Sequence, residues 1–352
     1  MATEALTAAV LGLDKKGWLL LEAATQTGCF QIRAVADQDP QKAEKAAVKY
    51  KCDAYTDYRQ LIVQNQLDCL LLATDIHAYG EHLKTAIKRK FHILKLAPPA
   101  RNFEETCEYI QMAASEKVKF AVANPARFNP SYITAHELIL QGHVEQIYLI
   151  EAYCSVAVAD RPSWYADPKL AGGGVLMHDC YPLIDQILWS FPVPQQVYAL
   201  NTNAAPDKQQ RLYLTEDTSV VSLRFTDALV GSITATRRNE VGPNELSLKV
   251  YGKDALLTVR EDLVTLNTRT GRENQRWQYG QDEPDTMRRL LCSFARCITN
   301  PEEPSLITSA QEGLNNMAVL ESAYLSARTG FPEEPAKILQ LGRSSAGKTT
   351  SI

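Results

Sequence analysis

Residues 10–18 read Val10-Leu11-Gly12-Leu13-Asp14-Lys15-Lys16-Gly17-Trp18. They follow the apolar run Leu6–Leu11, the pattern of a strand buried on both faces of a parallel sheet. They lead into Trp18–Thr27, which has helical spacing. A glycine turn between such a strand and helix suits a phosphate, because the free amides of a helix start attract anions. Gly12 and Gly17 match the first and third glycines of the dinucleotide fingerprint G-x-G-x-x-G. Asp14 holds the second position, where glycine normally lets the backbone approach the pyrophosphate. A carboxylate there sets a negative charge beside a polyanion, and Lys15 and Lys16 are placed to offset it. In the alternative reading Asp14 caps the helix and the phosphate pocket stays empty.

Outward from this turn, short apolar runs alternate with amphipathic ones as far as residue 123, the pattern of a doubly wound parallel sheet covered by helices. Strands are predicted over Ile32–Ala36, Leu67–Ala73, His92–Leu96 and Lys119–Ala123, with helices over Pro40–Tyr50, Tyr58–Asn65, Glu81–Lys90 and Phe103–Glu116. Asp37 ends the second strand, where a carboxylate can hold the adenosine ribose hydroxyls and favour NAD over NADP. A capping aspartate is the alternative, since Asp39 and Pro40 follow at once. Beyond a helix at Ser131–Gln141 the segments lengthen and become β-branched and aromatic, from Gln146–Cys154 to Leu263–Thr268. They predict an open, mostly antiparallel sheet, with helices near Thr286–Thr299 and Ser309–Arg328. The expected organisation is an N-terminal Rossmann domain over 1–125, a C-terminal α/β domain over 126–335 and a flexible polar tail over 336–352.

With 352 residues, 45% apolar and a net charge of −4, the chain has an ordinary globular composition and no basic excess for nucleic acid. No apolar run is long enough to span a bilayer, and no signal-peptide pattern opens the chain. The eight cysteines form no CxxC pair and no zinc spacing with histidine, so reduced thiols, a cytoplasmic location and no metal are expected. Gly342-Arg-Ser-Ser-Ala-Gly347-Lys348-Thr349 satisfies the P-loop pattern by letter, but too little chain follows to form its helix.

Several segments, in order, resemble the glucose–fructose oxidoreductase and inositol dehydrogenase (Gfo/Idh/MocA) family: Ala34-Val-Ala-Asp37, Ala73-Thr74, His92-Ile-Leu, Arg127-Phe-Asn-Pro130, Gly172-Gly-Gly174 and Ser326-Ala-Arg-Thr-Gly330. The resemblance runs from about residue 6 to residue 335. It implies an NAD(P)-dependent hydride transfer with a sugar, cyclitol or related polyol, with Thr74 and Tyr79 on the cofactor side. The departures fall on the chemistry. The family's Glu-Lys-Pro, whose lysine lies beside the nicotinamide, is Leu96-Ala97-Pro98 here. The family's aspartate and histidine after the triple glycine are His178 and Pro182.

Replacement groups exist by type and spacing. His178 is the best proton donor or acceptor, and on one helix Tyr181 and Asp185 would share its face. Lys95 precedes Ala97 by two, so in a strand it points to the same side. Arg127 at the domain junction and Trp164 before the triple glycine are candidate substrate contacts. Two readings stay open: an oxidoreductase with a non-standard acid/base set, and a catalytically silent dinucleotide- or ligand-binding or sensor protein that keeps the scaffold and a ligand cleft. The exposed face of the C-terminal sheet predicts a homo-oligomer.

Overall fold

The apolar stretch Leu6–Leu11 forms strand β1, and its residues Ala8–Leu11 are fully buried. In the computed structural model, which describes residues 5–157, 162–203, 214–238, 243–269, 274–300, 302 and 308–346, the chain divides into two compact units.

The first unit comprises residues 1–99, 105–128 and 282–310. In chain order it runs β1, α1 (Lys15–Gln26), β2 (Phe30–Ala36), α2 (Pro40–Tyr50), β3 (Asp53–Tyr55), α3 (Tyr58–Gln64), β4 (Cys69–Leu72), α4 (Gly80–Lys88), β5 (His92–Leu96), α5 (Phe103–Ser115) and β6 (Phe120–Ala123). The strands are all parallel, in the order β3-β2-β1-β4-β5-β6. This is the doubly wound arrangement predicted. The order reverses between β1 and β4, so the turns after these two strands open onto the crevice where such sheets bind ligands. Strand β3 was not predicted, because three residues at a sheet edge are too few to show a period.

The second unit comprises residues 100–104, 129–281 and 311–352. It begins with α6 (Pro130–Leu140) and β7 (Leu149–Ala157), followed by three short helices, α7 (Pro168–Ala171), α8 (Val175–His178) and α9 (Tyr181–Ser190). Strands β8 (Gln196–Thr202), β9 (Thr218–Arg224), β10 (Val230–Arg238), β11 (Glu245–Tyr251), β12 (Ala255–Arg260), β13 (Leu263–Thr268) and β14 (Gln275–Gln278) complete an eight-stranded sheet. Its order is β14-β13-β12-β11-β7-β10-β9-β8, antiparallel except where β10 pairs with β7. Helices α6, α8 and α9 pack on one face.

Helix α10 (Glu283–Thr299) was expected within the C-terminal domain but belongs to the first unit. Met287, Leu290, Leu291 and Phe294 on its apolar face join the core formed by Val10, Leu20 and Leu94. After α11 (Ala310–Thr329), the tail expected to be mobile forms helix α12 (Pro335–Ala346). Pro335 preorganises its first turn, and Ile338 and Leu339 supply a period that the polar residues after them mask. Gly342 therefore lies within a helix, not a phosphate loop, while residues 347–352 lie outside the described residues.

Candidate functional site

Close packing shapes the turn after β1. Gly12 has φ +86°, and a Cβ there would lie 2.7 Å from the backbone nitrogen of Thr74. A Cβ on Gly17 would lie 2.0 Å from the Gly12 carbonyl oxygen. Both glycines are thus required for the βα crossing itself. Asp14 caps α1: its Oδ1 accepts from the Gly17 amide at 2.8 Å. The cap itself is therefore present. Asp37 reaches across from the end of β2, where its Oδ2 accepts from the Leu13 amide at 2.7 Å and its Oδ1 from the Asp39 amide at 2.9 Å. Lys15 and Lys16 are exposed at the start of α1. On the β4 side of the crevice, Thr74 is buried and its hydroxyl makes no hydrogen bond.

These features fit a dinucleotide unevenly. The glycine cradle, the Asp37 carboxylate and the orphaned Thr74 hydroxyl suit its adenosine and backbone-approach contacts. At the pyrophosphate end, the protein's own carboxylate occupies the Gly17 amide, so anion binding there requires Asp14 to release it.

Lys95 lies in the same unit, at the end of β5 and only 4% exposed. Its Nζ donates to the Leu96 carbonyl at 2.6 Å and stands 5.0 Å from the Tyr79 ring centroid. Burial, reinforced by the nearby Lys16 cation, pushes its amine down to about 7, against the opposing pull of Asp14 and Asp75. The lysine therefore sits among charges of the dinucleotide turn. Tyr79 is fully buried, and its hydroxyl donates to the Pro99 carbonyl at 2.5 Å. Arg127 is buried in a 3-10 turn, Pro125–Phe128, also in this unit.

The remaining candidates belong to the second unit, and the single helix face predicted for them is broken. His178 ends α8, whereas Tyr181 opens α9. Pro182 is the reason: it has no amide to offer the His178 carbonyl, four residues back, and its ring excludes that carbonyl from a continuous helix. The His178 Nε2 lies 2.9 Å from the Ala171 carbonyl oxygen. Its ring packs 4.8 Å from that of Tyr165 and 5.7 Å from that of Trp164. Trp164 thus meets the candidate base edge to face. Tyr181 and Asp185 are brought together elsewhere: the Asn316 Nδ2 donates to the Tyr181 hydroxyl at 3.2 Å and to the Asp185 Oδ1 at 2.6 Å, all three residues being buried. That grouping is a core network joining α9 to α11.

Sequence reading missed the groups that hold α8 in place. Glu216 is buried and accepts from the Gly174 amide at 2.7 Å, the Leu176 amide at 3.0 Å and the Tyr324 hydroxyl at 2.9 Å. Burial outweighs these three donors and pushes its carboxyl up to about 7. Glycine is obligatory before α8, since a Cβ on Gly174 would lie 1.9 Å from the Glu216 carbonyl oxygen. Asp179, next to His178, accepts from the Tyr165 hydroxyl at 3.1 Å. The partners are too far apart in sequence to leave a local signal. Glu216 and Tyr324 also line a cavity of about 620 Å³ with Arg101, Lys169, Asn201 and Arg328. No group of three or more histidine, cysteine, aspartate or glutamate side chains suited to a metal occurs among the described residues. No helix among them is long and apolar enough to cross a membrane.

A parallel dinucleotide-type sheet, followed by a large mixed sheet with helix α8 starting after a triple glycine, defines a two-part α/β class of fold. Residues 6–124 match the model of an oxidoreductase family's NAD-binding Rossmann fold, and residues 136–334 match that family's C-terminal alpha/beta domain. The chain belongs to this Gfo/Idh/MocA oxidoreductase family. It is 21% identical to myo-inositol 2-dehydrogenase of Thermotoga maritima over 317 residues, which cover 88% of this chain and 92% of that one. An uncharacterized oxidoreductase of Bacillus subtilis, YrbE, is 21% identical over 342 residues, covering 94% and 96%. Among solved structures, levoglucosan dehydrogenase in complex with NADH and levoglucosan superposes with a TM-score of 0.85 at 18% identity, covering 94% of this chain and 99% of that one.

Proposed function

We propose that the protein is an NAD-dependent oxidoreductase of a sugar, cyclitol or related polyol, with Lys95 as the proton-handling group. The observation that carries this reading is the buried Lys95 amine beside the dinucleotide turn, which burial and the Lys16 cation push down to about 7. The family's lysine position is Ala97, and Lys95 is the amine on the same strand end. A general acid or base works best with a pKa close to the working pH. Gly12, Asp37 and Thr74 would hold the dinucleotide, and the Asp37 carboxylate disfavours the extra phosphate of NADP. The nicotinamide supplies the hydride acceptor or donor. The Lys95 amine takes the hydroxyl proton as the alcohol is oxidised and returns it in the reverse direction. Arg127 and Trp164 are proposed to contact the polyol. His178 assists only if its ring leaves the Ala171 carbonyl. The relatives named for myo-inositol and levoglucosan support a polyol substrate. A cytoplasmic location accords with the reduced cysteines.

A specific observation favours the second reading, a silent ligand-binding scaffold: the Asp14 carboxylate already occupies the helix amide that a pyrophosphate needs. Calorimetry with NAD, NADH, NADP and NADPH separates the two. Micromolar binding of NAD(H), followed by turnover of a polyol that Lys95→Ala abolishes, is the expected result. No heat with any of the four overturns the oxidoreductase reading.

A further inference from the structure

Cys29 and Cys292 are 263 positions apart in sequence, yet their sulfurs lie 3.8 Å apart. Both residues are half-buried, so both reach solvent. Cys29 follows Gly28, whose φ is +68°, in the turn between α1 and β2. The backbone of this turn is held: the Leu6 amide donates to the Cys29 carbonyl at 2.9 Å, and the Cys29 amide to the Thr27 hydroxyl at 3.1 Å. Cys292 lies on α10, which packs against α1. A disulfide needs a sulfur separation of about 2.05 Å. Side-chain rotation has to close that gap. Four other cysteines, Cys69, Cys107, Cys154 and Cys180, are buried away from any reagent. One pair of them, Cys154 and Cys180, shares a hydrogen bond without such access. Cys52 and Cys297 are half-buried too, and neither has a sulfur contact among the described residues.

We propose that Cys29 and Cys292 form a modification site, a reversible disulfide made by exchange with a small-molecule disulfide of the glutathione class. In the first step the Cys29 thiolate attacks one sulfur of the reagent, breaking its S–S bond and releasing one thiolate. In the second the Cys292 thiolate attacks the Cys29 sulfur of the mixed disulfide and releases the other thiolate. The protein pair loses two protons and two electrons, and the reagent is reduced to two thiols. Burial and the shared hydrogen bond hold the Cys292 thiol up, so its attack relies on the nearness of the Cys29 sulfur and on alkaline pH. The product staples α10 to the start of β2 and closes a loop that contains residues 100–104 and 129–281 of the second unit. A loop this long restricts the unfolded chain strongly and raises the temperature of unfolding.

The test is to treat the full-length chain with oxidised glutathione at mildly alkaline pH, block the remaining thiols, and map peptides by mass spectrometry. The expected product is a cross-linked peptide joining Cys29 to Cys292, with an intact mass lower by two hydrogen atoms. Dithiothreitol should reverse it, and the unfolding midpoint of the oxidised form should rise by several degrees. The cross-link should persist in Cys52→Ser and Cys297→Ser and vanish in Cys29→Ser and Cys292→Ala. Glutathione adducts without a cross-linked peptide, or a cross-link that survives both Cys29→Ser and Cys292→Ala, overturn the proposal.

Discussion

At the scale of single residues, two side chains govern the dinucleotide turn. Asp14 both starts α1 and holds the amide that a phosphate would use. Asp14→Gly exchanges a good cap for a neutral one, which costs the helix a few tenths of a kcal/mol. It also removes a negative charge beside the pyrophosphate, worth about 1 kcal/mol at such an exposed site. Titration calorimetry of this variant should therefore show NADH affinity rising about fivefold. Unchanged affinity would mean that the carboxylate swings clear without penalty. Lys95 predicts a pH dependence. Its folded-state pKa is about 7, below the ordinary 10.5 of an exposed lysine. Between these values the unfolded chain binds a proton that the folded one has released, so stability rises as pH rises through this window. Below pH 7 both states carry the proton, and the burial penalty is paid in full. Lys95→Met should flatten that rise and stabilise the protein at neutral pH by roughly 1–3 kcal/mol, read from urea unfolding at several pH values. Gly12, Gly17 and Asp37 were legible in the sequence because all three act within one strand–turn–helix. The hold of Asp14 on Gly17 was legible only as one of two alternatives, since capping and phosphate binding use the same amide.

At the scale of elements, α8 is the least self-sufficient. It has four residues, ends where Pro182 forbids continuation, and receives no side-chain cap from the residue before it. Glu216 supplies what the helix lacks by taking the Gly174 and Leu176 amides. Glu216→Ala leaves two buried amides and the Tyr324 hydroxyl without an acceptor, a loss of about 2–4 kcal/mol. Circular dichroism melts should show this loss, and the His178 ring resonances should shift because α8 carries that ring. Glu216 also opposes Lys95 in its pH effect. Its folded pKa of about 7 lies above the ordinary 4.5, so its contribution is complete below pH 4.5 and is lost as pH rises toward 7. The single helix face predicted from His178 to Asp185 is divided by one proline between α8 and α9. The sequence marked the proline and allowed it in a first turn. In the structure that first turn is the one Tyr181 opens, while the start of α8 is held by Glu216, remote in the sequence.

At the scale of the whole molecule, the large sheet carries exposed apolar side chains on one face among the described residues. Leu200, Val220, Thr234 and Tyr153 pair across β8, β9, β10 and β7 and so form one row on that face. Leu200 is 61% exposed, Val220 43% and Tyr153 39%. A row of large apolar side chains on a broad sheet is a surface that a second copy of this chain can cover. Light scattering should give at least twice the mass of the 39.2 kDa chain, and Leu200→Asp with Val220→Asp should return it to one. A single-chain mass for the unaltered protein would refute this assembly.

The sequence by itself determined the two sheet types, because fully apolar runs and alternating runs bury different faces, and that pattern is local. It also determined the glycine turn, the Asp37 strand end and the absence of the family's lysine and histidine. Only the tertiary structure decided that α10 returns to the first unit, since its apolar face is indifferent to which core receives it. Only the tertiary structure placed Lys95 in a buried, charge-lined position and tied Tyr181 and Asp185 to Asn316. Burial and long-range hydrogen bonds set those roles, and neither leaves a mark at neighbouring positions in the chain.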